Sequence, residues 1–405
     1  MSEKVKYFDI GIVGGSIAGN HLAYLLSKLP IKLNIAVIEE HREIGLPFQC
    51  AGIVSMKLDK LIDLPKEIIL NRVKTAKIVA PSGKTIKLAG KERPYIINRI
   101  ALDKLFYEKI KNKSNISYFL GEKFKSLKYL TENGEKYVII ETSHHKIKVK
   151  MIIGCDGPFS FVGKHMGIRN DIIYAAQVRA KAGFPQDEAA MYFDPRWKEL
   201  FGWIVPEGDN GIYRIGIASK ENISYNFKIF LKKLNISDDK ILDRQGGVIP
   251  YGYMKEVAFD NCLLLGDAAC QVKATTGGGI VMLLTAAKIA AYCILKCFEN
   301  GNFSKKFIKK HYQLPCSRKI GRQLKIHYFI RSIFEIFTPN DFDTFFQIVK
   351  SNQIESIISL YGDMDFPLSL LIRLFRNSLF LKFFFGIIKS KFFSLIKIFK
   401  NLIKK

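Results

Sequence analysis

Three features of this chain predict an α/β protein built around a βαβ unit that binds a dinucleotide. First, an apolar run at 10–13 leads into Gly14-Gly15-Ser16-Ile17-Ala18-Gly19 and then a helical pattern at 22–29. Second, the next strand, 33–38, ends on Glu39-Glu40, and Glu39 falls 20 residues after Gly19. Third, far downstream, Leu263-Leu264-Leu265 runs into Gly266-Asp267, and Gly277-Gly278-Gly279 opens an apolar helix at 280–294.

Each feature has a physical reason. Glycines allow backbone N–H groups to approach a ligand closely, and a helix start turns its positive end toward an anion. Gly14, Ser16, Ala18 and Gly19 are therefore candidate pyrophosphate contacts, with Glu39 as the ribose acid. Ser16 occupies the middle glycine position of the fingerprint, where a Cβ crowds the phosphates. In the second cluster, Gly278, Gly279 and Ile280 offer another helix start, and Asp267 can accept a hydrogen bond from a ribose or ribityl hydroxyl. The alternative for both is a plain strand–turn–helix without ligand.

The chain has 405 residues, 48% of them hydrophobic, enough for two or three packed units. Its formal charge of +26 favours anionic partners such as lipid headgroups or acidic cofactors; no nucleic-acid partner is expected. Seven scattered cysteines show neither zinc-site spacing nor a disulfide ladder, so no metal and a reducing compartment are expected. The polar first eight residues do not read as a signal peptide, and no long uncharged run predicts a spanning helix.

Between the glycine clusters, Pro47-Phe48-Gln49-Cys50-Ala51-Gly52 is a small-residue turn whose thiol reads either as a buried structural group or as a reactive one. Residues 73–81 read as a strand. Arg99 can reach a phosphate or pair with Asp103 one turn on. Strands are expected at 116–119 and 124–127, and a hairpin at 137–153. Asp156, in Gly154-Cys155-Asp156-Gly157, braces the phosphate region or caps the next helix. Residues 173–217 alternate like an antiparallel sheet, carrying Phe201-Gly202-Trp203-Ile204-Val205-Pro206. Trp203 is either core or pocket. The expected division is 1–165 and 251–300 for the dinucleotide domain, 166–250 for the inserted sheet, and 301–405 for a helical basic region. In its tail, Lys389, Lys397, Lys400 and Lys404 fall near one helical face, with Phe392, Phe393, Ile396, Phe399 and Ile403 largely elsewhere. Such a helix lies on an anionic membrane surface or packs inward.

Five segments, in order, resemble the geranylgeranyl reductase family. Gly266-Asp267-Ala268-Ala269 with Lys273-Ala274-Thr275-Thr276-Gly277-Gly278-Gly279-Ile280 is similar to the family's GDAAG…VKPTTGGGI, with Cys270 for a glycine and Ala274 for a proline. Pro47 to Ser55 resembles P-x-Q-C-A/G-G-L-x-S, Arg99 to Leu105 resembles R-x-x-F-D-x-x-L, Gly154 to Ser160 resembles GADGxxS, and Phe201 to Pro206 resembles Y-x-W-x-F-P. The resemblance implies a Rossmann-like FAD-binding domain of the aromatic-ring hydroxylase type, an inserted antiparallel-sheet substrate domain and a helical C-terminal region. It implies FAD contacts at Cys50, Ala51, Arg99 and the backbone of Phe124, and an isoprenoid pocket at Trp203 and Pro206. Cys50 is the one candidate catalytic group.

The implied activity is reduction of isoprenoid C=C bonds in geranylgeranyl-type membrane lipids. Its partners would be the lipid, an anionic membrane surface reached by the C-terminal helix, and a reductant such as ferredoxin or NAD(P)H, because no second glycine-rich nucleotide motif is present. The location implied is cytoplasmic and peripheral to the membrane. Two alternatives stay open: a flavin monooxygenase or halogenase on the same fold, and a flavin-less lipid-binding protein, which Ser16 and Cys270 would permit.

Overall fold

Buried parallel strands read as continuous apolar runs, and five of them form the centre of this protein. The computed structural model describes residues 5–90, 92–351 and 354–403; the side chains of 351, 397, 399 and 401–403 fall outside that description, and with them the expectations for Lys397, Phe399, Ile403 and Lys404. The first βαβ unit is β1 (Lys6–Val13), α1 (Ile17–Leu26) and β2 (Ile35–Glu39). Then come β3 (Ile53–Val54), β4 (Ile69–Arg72), β5 (Thr75–Val79), β6 (Thr85–Leu88) and β7 (Tyr95–Ile97). They are followed by α2 (Arg99–Ile110), β8 (Ile116–Leu120), β9 (Phe124–Glu132), β10 (Glu135–Thr142), β11 (Lys146–Gly154) and α3 (Phe161–His165).

The second half opens with β12 (Asp171–Lys181), β13 (Glu188–Tyr192), β14 (Gly202–Pro206), β15 (Ile212–Ser219), α4 (Ile223–Lys233) and β16 (Ile241–Tyr251). Short strands β17 (Ala258–Phe259) and β18 (Cys262–Leu264) lead to α5 (Ile280–Asn300). A helical run over 305–335 contains two π turns and ends in α6 (Arg322–Glu335). The cap is α7 (Pro339–Ser351), α8 (Ile354–Tyr361), α9 (Leu368–Leu374), α10 (Ser378–Ser390) and α11 (Phe392–Ile403).

The central sheet runs β17-β18-β11-β1-β2-β8, with β9 and β10 added as an antiparallel extension of β11. Its joins from β18 to β8 are parallel. Only glycine fits the turn after β1: Gly14 has φ of +105°, and a Cβ there would lie 2.2 Å from the Cys155 carbonyl oxygen. A Cβ on Gly19 would lie 1.9 Å from the Gly14 carbonyl, so α1 packs backbone to backbone on the turn. Among the described residues, α5 is the one helix long and apolar enough to cross a membrane, yet Met282, Leu284, Ala286, Ala290 and Ile294 are buried in the core beneath the sheet.

The second sheet has the order β16-β12-β15-β14-β13-β5-β6. This corrects the expected boundaries, because residues 75–88 belong to this sheet and not to the dinucleotide domain. Within 166–250 every join is antiparallel, as expected, and the added β5 pairs with β13 in parallel, with Glu188 opposite Thr75. A strand pattern specifies that a segment pairs; it does not specify with which sheet. Within this sheet Trp203 sits opposite Gly216, where a Cβ would lie 2.3 Å from the indole, so the glycine makes room for the ring.

The cap docks on the outer edge of the second sheet. Phe337, Phe342, Phe346, Val349, Phe380 and Ile387 bury a phenylalanine-rich core with Ala80 and Ile86 of the β5–β6 hairpin. Burying each such ring is worth about 1.5–3 kcal/mol.

Candidate flavin and substrate cavity

The two glycine-bearing turns meet. Ser16, Ile17 and Ala18 from the first, and Asp267, Gly277, Gly278, Gly279 and Ile280 from the second, line one cavity of about 590 Å3. The starts of α1 and α5 both face it, so two helix starts with their positive dipole ends converge there. The same cavity continues between the sheets, where Cys50, Ala51, Gly52, Gln177, Met191, Leu200, Phe201, Trp203 and Val205 line it. Its far wall is the cap, through Ile358, Met364 and Leu370.

Ser16 does not turn its hydroxyl into the cavity's centre. Its Oγ donates to Asp103 Oδ1 at 3.2 Å, and the Ile17 amide donates to the same oxygen at 2.9 Å. Asp103 also pairs with Arg99, Nη2 to Oδ2, at 3.0 Å. Burial pushes the Asp103 carboxyl up, against the pull of Arg99 and of the Ser16 and Ile17 donors. Arg99 thus does pair with Asp103, yet its Nη1 is buried without a partner on the cavity wall. An unpaired guanidinium nitrogen beside two helix starts fits a pyrophosphate.

Glu39 closes the end of β2. Its Oε2 accepts from the Gly15 amide at 2.7 Å and its Oε1 from the His41 amide at 2.9 Å. It holds the glycine turn and, like Gly14, Gly19, Phe124 and Pro206, lies outside the cavity lining. Phe124 starts β9 with its ring buried edge-on against His165 at 5.6 Å. Pro206 ends β14, buried and paired with Tyr213. Asp156 caps α3, accepting from Ser160 Oγ at 2.6 Å and the Val162 amide at 3.0 Å.

Asp267 is the titrating group of the cavity. Burial raises its pKa to about 6, while Arg99 pulls the other way. A carboxylate in that position gains from a hydroxyl donor, as a ribityl chain would supply. Cys270 takes a left-handed conformation, φ +52°, as the cap of the Gly266–Ala269 turn, a conformation that glycine adopts without strain.

Several residues that hold the site escaped the motif reading. Trp203 Nε1 donates to Gln177 Oε1 at 2.8 Å, and Gln177 Nε2 donates to Gln245 Oε1 at 2.6 Å and to the Cys50 carbonyl at 3.4 Å. The circuit continues through Asp243, Arg179 and Glu207 to Arg214. Arg214 donates to the Ala51 carbonyl at 2.9 Å and stands 4.9 Å from the Phe48 ring centroid. A Cβ on Gly52, at φ +76°, would lie 2.0 Å from Arg214 Nη1. One side-chain circuit therefore fixes two consecutive carbonyls of the Cys50 segment. Its sequence signal was an arginine amid apolar residues in Tyr213-Arg214-Ile215.

The glycine-rich loop is held from the cap. Lys273 Nζ pairs with the fully buried Asp365 at 2.6 Å, and Ser55 Oγ donates to the other Asp365 oxygen at 2.5 Å. His327 is neutral, its pKa lowered to about 4 by burial and by Lys273. It accepts the Thr275 hydroxyl proton at Nδ1, 2.6 Å away, and donates from Nε2 to the Asp365 carbonyl, 3.1 Å away. Arg331, buried, donates to the carbonyls of Thr275 at 2.9 Å and Leu200 at 2.8 Å, tying the loop to the second sheet.

No family model matches the chain. It is 27% identical over 386 residues to an uncharacterised protein of Methanocaldococcus jannaschii, covering 91% of this chain and 95% of that one. It is 27% identical over 384 residues to digeranylgeranylglycerophospholipid reductase 2 of Methanothermobacter thermautotrophicus, covering 89% and 97%. Over most of its length the chain is thus similar to proteins named digeranylgeranylglycerophospholipid reductase. Among solved structures, a geranylgeranyl bacteriochlorophyll reductase-like protein from Thermoplasma acidophilum superposes with a TM-score of 0.78 at 21% identity, covering 96% of this chain and all of that one. The halogenase PltM, solved with FAD, superposes at 0.65 with 14% identity, covering 96% of each chain. The fold of this chain is thus the one found in that reductase-like protein and in FAD-dependent monooxygenases and halogenases.

Proposed function

We propose that this protein is an FAD-dependent reductase that saturates isoprenoid C=C bonds of geranylgeranyl-type membrane lipids. One observation carries the reading: a single cavity joins two helix starts and an unpaired Arg99 nitrogen to a long apolar wall. The polar end suits FAD. The α1 start and Arg99 would hold its pyrophosphate, Asp267 its ribityl hydroxyls, and the 277–280 loop with Cys50 and Ala51 would lie against its ring. When bound and reduced, FAD would supply a hydride to one alkene carbon, and a proton, ultimately from solvent, would complete the other.

The rest is done by this chain's own side chains. Met191, Leu200, Phe201, Trp203, Val205 and Leu370 would orient an apolar chain along the wall and exclude water. The Arg214–Gln177 circuit keeps the Cys50 segment at a fixed distance from that wall. The lipid substrate reaches the site from a membrane. α10 and α11 support peripheral attachment, with Phe385, Phe392 and Phe393 exposed, Phe393 by 84%, beside the cations Lys389 and Lys400. Leu395, by contrast, is buried, so α11 docks on its own protein by one face and offers the other to lipid. The protein would work at the cytoplasmic membrane face and draw electrons from ferredoxin or NAD(P)H.

The test is purification followed by an absorbance spectrum and anaerobic incubation of the dithionite-reduced protein with geranylgeranyl lipid. The expected result is a flavin spectrum and a lipid mass gain of one H2 per bond. A protein that stays colourless after reconstitution with FAD, or that alters lipid only when oxygen is admitted, overturns the reading.

A further inference from the structure

A second cleft, of about 460 Å3, lies between α6 and α9. Its floor is apolar, from Phe366, Leu368 and Ile372, and Arg373, Arg376 and Gln323 line it as well. We propose that this cleft holds the phosphate headgroup of the lipid whose chain enters the main cavity, an inference that rests on the reductase reading above.

Three independent features point there. Arg373, in the last turn of α9, and Arg376, two residues past its end, both line the cleft. No acidic residue follows Asp365 in the sequence, and among the described residues neither arginine is paired with a carboxylate. The Arg373 guanidinium carbon stands 3.6 Å from the Tyr361 ring centroid, a cation–π contact that holds the side chain in place. Gln323 contributes a side-chain oxygen buried without any partner, an acceptor awaiting the hydroxyl or ammonium group of a polar head.

The position of the cleft supplies the link to the substrate. Leu370 of α9 lines the main cavity, whereas Leu368, Ser369, Ile372 and Arg373 of the same helix line the cleft. Met364 and Phe366, two residues apart, divide in the same way. Only the width of one helix, about 10 Å with its side chains, separates the two spaces. A glycerophosphate together with the first isoprene units of one chain can reach around that helix, with the phosphate on the arginine side and the chain on the leucine side. The apolar floor then takes the first methylenes of a second chain.

The experiment measures two dissociation constants on one preparation in non-ionic micelles: that of a di-isoprenoid glycerophosphate and that of the matching glycerol without phosphate. The readout is their ratio, which does not depend on the fraction of protein that is active. For the full chain the phosphate lipid binds tighter. In Arg373→Glu/Arg376→Glu the preference falls by roughly tenfold or more, and in the milder Arg373→Gln it falls less. An unchanged ratio in both variants overturns the proposal. So does a loss seen only as weaker sedimentation with anionic vesicles while the micelle ratio stands, since the arginines would then serve the membrane surface and not the substrate head. Arginine-dependent binding of the phosphate lipid without hydrogenation would leave this site in place and sink the reductase reading instead.

Discussion

The glycine cradle and the helical cap touch the same cavity and are held in place by different physics. The cradle is fixed by backbone: glycines at φ beyond the reach of other residues, carbonyl oxygens within 2.2 Å of where a Cβ would stand, and parallel strands on either side. The cap is fixed by a few buried side chains that cross the molecule. Asp365 meets Lys273 and Ser55, and Arg331 reaches two segments distant in sequence, at Leu200 and Thr275. Backbone-held regions tolerate changes on their surfaces and none at their turns. Regions held by buried charge fail when one partner alone is removed.

The largest expected effect tests that contrast at the cap. Lys273→Met removes the nearer counter-charge of buried Asp365, leaving Lys57 3.8 Å from its other oxygen, and is expected to cost about 3 kcal/mol in urea unfolding. The double variant Lys273→Met/Asp365→Leu should recover much of it, because it removes both charges. Equal loss in single and double variants would break the comparison.

At the cradle, Gly14→Ala forces both a strained φ and a contact with the Cys155 carbonyl. About 2–3 kcal/mol of stability should go, together with most FAD affinity in a reconstitution titration. Next in size, Arg214→Met strips the donor from the Ala51 carbonyl and leaves Glu207 with one partner fewer. We expect a loss of about 1–3 kcal/mol, and an altered flavin spectrum, because the Cys50 segment is freed.

The smallest effect is one of pH. Asp267 has a folded pKa raised to about 6 from 3.8, so the folded protein binds more protons than the unfolded chain between those values. Its contribution is therefore fully present below pH 3.8 and lost as pH rises through about 6. In FAD-free protein, Asp267→Asn should flatten that decline in a series of melting curves. An unchanged pH slope would show that water screens the carboxylate.

The contrast also explains what the sequence revealed. The cradle was legible because strand, turn and helix are local: Gly14 to Glu39 and Leu263 to Ile280 each declare their shape within thirty residues or so of one another. The second sheet was half legible. Alternation in 173–217 identified strands, but nothing local said that 75–88 joins them, because pairing partners are chosen by long-range packing. Arg99 offered two partners, and the structure gives one nitrogen to Asp103 and leaves the other at the cavity. The cap was least legible. Its tail read as an amphipathic surface helix, whereas the residues that bind it to the site, Asp365, His327 and Arg331, are single polar positions with no periodicity to mark them.

The buried pairing of Lys273 with Asp365 carries an evolutionary consequence. A lineage that shortened this protein ahead of residue 365 would strand a cation beside its most glycine-rich loop, whereas one that rewrote everything after that point would disturb no such bond. Divergence should therefore rise past that aspartate, sparing Leu370, Arg373 and Arg376 and the buried Phe380 and Ile387.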